Sequence, residues 1–251
     1  MKRFPFLHAI LALVGGSFLA SCASTTSMAK LDPKTDSVLQ AMSDKLASAK
    51  TIRVKATRET SSGFYAGAPV AERATGSVVV RRPGQLLANA KTSLGARTIG
   101  FDNGTLTLID HTSDTHSIVK ASADLDGAVR QIQHTYGFIP PVAELLVNDP
   151  HTFLLEGVTS VKYIGLDKVG GVECDHMAFE QEGFAWELWV AKADSLPRQI
   201  SVTHPNGEGG APLKMSATMT QWELDASVTD SDLTAKIPSG SRAIEMIPLA
   251  D

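Results

Sequence analysis

The sequence predicts an α+β fold: a curled antiparallel sheet forming an open half-barrel, with helices covering its concave face. Three observations lead there. Short runs rich in Val, Leu, Ile and Thr recur between Pro-Gly, Asn-Gly and Gly-Gly turn signals. The runs fall into two blocks, with one helical stretch before them and another between them, an order that indicates helices packed on one face of a sheet. The strands are also too many to lie flat, because each pair adds twist.

The chain of 251 residues opens with an address rather than a fold. Met1-Lys2-Arg3 is a basic region and Phe4 to Leu19 is mostly apolar, the outline of a secretory signal and too short for a good spanning helix. Leu19-Ala20-Ser21-Cys22 resembles the bacterial lipobox. That resemblance implies diacylglyceryl transfer to the Cys22 sulfur, cleavage before Cys22 and acylation of the new amine. Each buried CH₂ contributes ~0.8 kcal/mol, so two or three acyl chains would hold the protein on a membrane. Ala23 follows Cys22, and resemblance to Gram-negative sorting then implies the periplasmic face of the outer membrane.

The expected organisation is a signal peptide at 1–21, a lipidated tether at 22–31 and one domain at 32–251. Loss of Lys2 and Arg3 with the signal takes the formal net charge from -4 to -6. A mildly acidic body with scattered charges is not built to bind nucleic acid. With Cys22 lipidated, Cys174 has no partner for an intramolecular disulfide and reads as a small core residue.

Asp32-Pro33 is a helix start, with Asp as cap and Pro in the first turn. Val38, Ala41, Met42, Leu46 and Ala49 then share one helical face. Ile52 to Thr57 alternates as a half-buried strand, and Ser61 to Ala71 reads as a long connection carrying Phe64 and Tyr65. The meander follows, with strands at 76–82, 85–91, 97–101, 105–110 and 115–121. Asp102-Asn103-Gly104 is its strongest hairpin signal.

Asp124-Leu125-Asp126 starts a second helix, in which Leu125, Ala128, Val129, Ile132 and Tyr136 share a face before Gly137. Pro140-Pro141 leads into a short third helix, Val142 to Val147. The strand pattern is expected to resume after Phe153-Leu154-Leu155, near 160–167, 172–180, 184–191, 198–204 and 212–224. An edge strand is expected near Ala243 to Met246.

Gly76, Arg82-Pro83-Gly84, Asn103-Gly104 and Leu196-Pro197-Arg198-Gln199-Ile200, set in this order of elements, resemble the LolA/LolB-like periplasmic lipoprotein-carrier superfamily. Within it the chain is most similar to the DUF2092 branch of periplasmic proteins. The resemblance implies a half-closed barrel with helices plugging its hollow, which in some members holds acyl chains. Leu86, Ala88, Ile99, Phe101, Leu106, Val129, Ile132 and Tyr136 would line that hollow, although the same residues would serve to fill a core. The expected function is therefore that of a membrane-anchored periplasmic lipoprotein binding an acyl chain, lipid or lipoprotein. The alternative is a structural or interaction lipoprotein with a filled barrel. Oligomeric state is left open.

No stretch reads as a catalytic site, and no cofactor is expected. His111 and His116 flank a Ser113-Asp114 turn and could chelate zinc or copper, but two ligands do not make a closed site. Cys174 and His176 share a strand face without a third orienting group. Residues 206–210, NGEGG, precede a strand rather than a helix and are no phosphate cradle. Trp186 reads as core, whereas Trp189 points the other way and is a candidate outer contact.

Overall fold

Asp32 caps the first helix as its position demands. Its carboxylate accepts from the backbone N–H of Lys34 and Thr35, both at 3.0 Å, and from the Thr35 hydroxyl. These bonds, the hydroxyl's foremost, hold Asp32 below the usual carboxylate range. Helix α1, Pro33–Ser48, buries Val38, Leu39, Met42 and Leu46 on one face. The computed structural model describes residues 31–64, 70–136, 142–205 and 210–249. The expected signal, Cys22 and the tether up to Lys30 lie outside these residues. So do Tyr65, the Gly137 and Pro140-Pro141 signals, and positions 206–209 of the glycine run.

Six strands follow: β1 Thr51–Thr60, β2 Glu72–Arg81, β3 Gln85–Lys91, β4 Ala96–Asp102, β5 Thr105–Asp110 and β6 Thr115–Lys120. The β4–β5 hairpin turns on Asn103 at φ 42° and Gly104 at φ 96°, the positive angles that the Asn-Gly pair supplies. Helices α2 Leu125–Tyr136, α3 Ala143–Leu146 and α4 Pro150–Leu155 come next. Strands β7 Val158–Val169, β8 Val172–Gln181, β9 Phe184–Ala191, β10 Pro197–His204 and β11 Leu213–Leu224 complete the second block. A two-residue strand, β12 Arg242–Ala243, closes the order.

The strands do resume after Phe153-Leu154-Leu155, at Val158, but these three residues close a further helix, α4, that the sequence pattern leaves unassigned. Asp149 caps α4 by accepting from the Thr152 N–H at 3.1 Å, and Pro150 sits in its first turn. The same Asp-Pro pair opens α1.

The strands form one sheet in the order β12-β6-β5-β4-β3-β2-β1-β11-β10-β9-β8-β7. Every pairing is antiparallel except β12 on β6. Chain order thus sends α2, α3 and α4 from β6 near one edge to β7 at the other, across the concave side. One apolar cluster joins Leu39, Met42 and Leu46 of α1, Leu125 and Ile132 of α2, Leu146 of α3 and Leu155 of α4 to buried residues of β1 to β5 and β7 to β11.

Arg82 pins this cover to the sheet. Its Nη1 donates to the carbonyls of Leu146 and Val147 and to Asn148 Oδ1, and its Nη2 to the Leu46 carbonyl, at 2.7–3.2 Å. The Asp126 carboxylate accepts from the backbone N–H of Asn148 and Asp149, tying α2 to the start of α4. Among the described residues no helix is long and apolar enough to cross a membrane.

The chain after β11 returns over the convex face. Arg53 and Arg81 hold it through Asp232 and Asp230, at 2.9 and 2.6 Å. Ala235 seats on Gly100, where a Cβ would come within 2.4 Å of the alanine methyl. Ile244 then donates to the His116 carbonyl and accepts from the Ser117 hydroxyl, which covers the β6 edge.

Candidate functional site

The uninterrupted β1–β2 register fixes which side chains face the helices. Ile52, Val54, Ala56, Arg58 and Thr60 of β1 share that face, with Val80, Val78, Gly76, Ala74 and Glu72 opposite them. Across β3, β4 and β5 the same face continues as two rows, Leu86-Phe101-Leu106 and Ala88-Ile99-Leu108. On the other side it runs through Ala217, Ile200, Leu188 and Met177, and beside that row through Met215, Val202, Trp186 and Phe179.

This wall has two halves. Toward Arg82 and the helices, Ile52 and Val80 are fully buried and Leu86, Phe101 and Leu106 are at most 5% exposed. Two residues further along β3, β4 and β5, Ala88, Ile99 and Leu108 are only half-buried, although they still pack against the main cluster, while Val54 and Val78 in the same row on β1 and β2 stay buried; Ala56, one pair beyond Val54, is half-buried. Val202 and Met215 have the same character on the far side. The helix cover therefore ends part-way along the wall.

The predicted lining residues divide along that line. Leu86, Phe101, Leu106 and Ile132 join the filled cluster, and Ile99 and Tyr136 sit at its half-buried margin. Val129 lies elsewhere: it packs with Ala143, Val147 and Phe153 in a separate cluster between the helices. Its place on α2 is one turn from Leu125, but the extra helix α4 draws it away from the wall.

Sequence reasoning missed the charged pair on this face. Arg58 Nη2 meets Glu72 Oε2 at 3.0 Å, with both side chains about 15% exposed. The signal was an arginine in register with Ile52, Val54 and Ala56. Glu144 on α3 is a second carboxyl near the core. It is half-buried among buried neighbours, and burial pushes its pKa up to about 7. At the β7 edge the buried Asp175 accepts from the Tyr163 hydroxyl at 2.6 Å and from Lys34 Nζ at 3.0 Å. Burial, then the bond to Asp175, pushes Tyr163 up to about 12.

The other candidate groups of the sequence are engaged in local contacts. His111 Nε2 bonds the Thr98 hydroxyl and His116 Nδ1 bonds the Ser241 hydroxyl, each at 2.9 Å. Among the described residues no three His, Cys, Asp or Glu side chains converge as a metal site. Cys174 is buried, and desolvation raises its thiol pKa, which disfavours the nucleophilic thiolate. Trp189 does face away from the concave wall, but it is only 6% exposed. It stacks on His176 and donates to Asp167, so the outward direction did not make a surface contact. A groove of ≈ 680 Å³ lies under the returning tail, lined by Arg81, Gln85, Asp102, Thr107, Asp230 and Thr234 among others. Its lining is polar, unlike the concave wall.

Residues 35–247 match the family described as "Predicted periplasmic protein (DUF2092)". No curated protein matches the sequence. Among solved structures, an uncharacterized conserved protein from Thermus thermophilus is similar at 13% identity and TM-score 0.49, over 84% of this chain and 98% of that one. The lipoprotein LppX of Mycobacterium tuberculosis is similar at 14% identity and TM-score 0.49, over 79% and 99%. A LolA superfamily protein from Nitrosomonas europaea is similar at 8% identity and TM-score 0.36, over 79% and 96%.

Proposed function

Because the chain belongs to the DUF2092 family of periplasmic proteins, we propose that it works in that compartment as a lipid-anchored binding module. Its ligand is an acyl chain, a lipid or the lipid part of a lipoprotein, held on the open half of the concave wall. One observation carries this reading. Ala88, Ile99 and Leu108 form an apolar strip across β3, β4 and β5 that is half-buried, while Leu86, Phe101 and Leu106 beside it on the same strands are closed. Strips of this kind, bounded by a rigid sheet and helix ends, are where apolar ligands lodge. The reading narrows the expected hollow, since the half under the helices is filled by side chains.

Anchoring would come from acylation of Cys22, on the periplasmic face of the outer membrane. A fixed anchor suits a receptor or local carrier better than a shuttle. The activity is binding, with no catalytic step.

Two measurements test this. Lipid extraction and native mass spectrometry of the purified chain should find a copurified acyl ligand, and a fluorescent fatty acid should bind and be lost in Ile99→Asp. A chain that carries no lipid and ignores the probe would remove the binding reading. Separately, Cys22→Ser should release the protein from membranes, and unchanged retention would remove the anchor.

A further inference from the structure

The sheet treats its two edges differently. At one, the returning tail covers β6. At the other, β7 pairs with β8 alone, and among the described residues no segment bonds to its outer backbone. This bare edge is 12 residues long and carries Ile164 at 46% and Leu166 at 55% exposure. Unpaired N–H and C=O groups beside exposed apolar side chains are a template for another strand.

Two features decide which strand fits. The first is a bulge. Tyr163 lies opposite Met177 and Gly165 opposite His176, so β7 has one extra residue at Ile164. The alternation of faces shifts there. Leu166, opposite Asp175, is back on the concave face with Tyr163, whereas Lys162 and Asp167, opposite Ala178 and Cys174, both take the convex face. The order of faces therefore reads the same in both directions from the bulge. A flat strand would fall out of step with β7 at that point. A second β7, antiparallel and related by a two-fold axis through the bulge and normal to the sheet, breaks step at the same place and stays matched on both sides.

The second feature is charge. In that pairing Lys162 of each copy falls opposite Asp167 of the other, and Tyr163 opposite Leu166. A lysine on an open edge ordinarily guards it against pairing. Here the two-fold axis sets a carboxylate opposite each lysine, and both residues are exposed on their own strand. Asp167 is held in place by Trp189, whose Nε1 donates to its Oδ2 at 3.0 Å, a bond that keeps the carboxyl below the usual carboxylate range. Opposite charges directly across an antiparallel pair stabilise it, and like charges there destabilise it.

We propose that the β7 edge is the seam of a homodimer, in which two copies pair antiparallel about Ile164-Gly165 with Lys162 on Asp167. The two sheets continue into one another, and both concave walls open to the same side. The assignment is independent of any ligand.

Sedimentation equilibrium of the purified chain carrying Cys22→Ser, which keeps acyl chains from joining copies, tests this. The chain should show a reversible monomer–dimer equilibrium. Adding Lys162→Glu or Asp167→Lys alone sets like charges opposite each other twice and should weaken the dimer by about tenfold or more. An equimolar mixture of the two variants places an acid opposite a base at both positions and should restore association. The double variant Lys162→Glu/Asp167→Lys should restore it too, which also shows that neither substitution unfolds the chain. A chain that stays monomeric at about 0.1 mM overturns the proposal. So does a dimer that charge reversal leaves intact, or one that neither the mixture nor the double variant restores, because the copies then meet elsewhere.

Discussion

The two halves of the concave wall are built from the same strands, yet they differ in what covers them. Around Leu86, Phe101 and Leu106 four helices close over the sheet, and side chains fill the interior. Around Ala88, Ile99 and Leu108, one pair of residues further along, the cover stops. Alternation makes both halves apolar, because it dictates only which face a residue takes. What separates them is where the helices are pinned, and Arg82 pins them at one end. The covered half holds the fold together. The open half packs against that core on one side and leaves part of its apolar area uncovered.

The sharpest test of this contrast is a deletion in the covered half. Phe101 is 4% exposed within the main cluster. Phe101→Ala should cost about 3–5 kcal/mol, read as a lower urea midpoint at unchanged slope. A loss below about 1 kcal/mol would mean that this half is not closed.

Next comes the pin. Arg82→Ala removes the donors to the carbonyls of Leu46, Leu146 and Val147 at once. Stability should fall by about 3 kcal/mol, since each carbonyl left dry costs about 1–3 kcal/mol and some of them will reach water. Arg82→Lys keeps the charge but lacks the fork and should recover little of the loss. Full recovery by lysine would show that charge, not the four-way fork, holds the helices.

How much of this the sequence disclosed follows from which interactions are local. The α1 start, the Asn103-Gly104 hairpin and the strand faces were readable because a cap, a positive φ and an alternation each need only neighbouring residues. Helix α4 was readable too, since Asp149-Pro150 repeats the Asp32-Pro33 signal, but the apolar run Phe153-Leu154-Leu155 suits a buried strand and a buried helix equally. The Arg58–Glu72 pair needed a strand extended to Thr60 and the register of two strands. Val129 shows the limit more plainly. Its helical face was identified correctly, but the partner of that face depends on α4, which joins it from far along the chain. The returning tail on Gly100 left no local trace at all, because only the distant Ala235 explains that glycine.

Glu144 reports on the underside of the cover by titration. Its folded pKa of about 7 stands above the ordinary 4.5, with burial as the cause. The folded state therefore holds this proton more tightly than the unfolded chain. The stability so gained is full below pH 4.5 and is lost as pH rises through 7. Urea unfolding of the wild type should thus weaken between pH 5 and pH 8 by ~1–2 kcal/mol relative to Glu144→Gln, allowing for the water that reaches a half-buried group. Parallel profiles for the two proteins would mean that the carboxyl is hydrated in the folded state.

The smallest expected effect decides most about the open half. Ile99 is matched to Ala88 on one side and Leu108 on the other, as Phe101 is matched to Leu86 and Leu106. The two side chains lie on one strand and one face, and only the helix cover distinguishes them. Truncating a half-buried isoleucine opens no closed cavity, so Ile99→Ala should cost about 1 kcal/mol, well below the loss at Phe101. The same truncation removes contact area from the proposed ligand strip and should weaken fatty-acid binding measurably. A large stability loss with unchanged binding would reverse the assignment, making Ile99 part of the filled core and leaving the open strip without a function. A small loss together with weaker binding would place the apolar area at Ile99 in the ligand's service rather than the fold's.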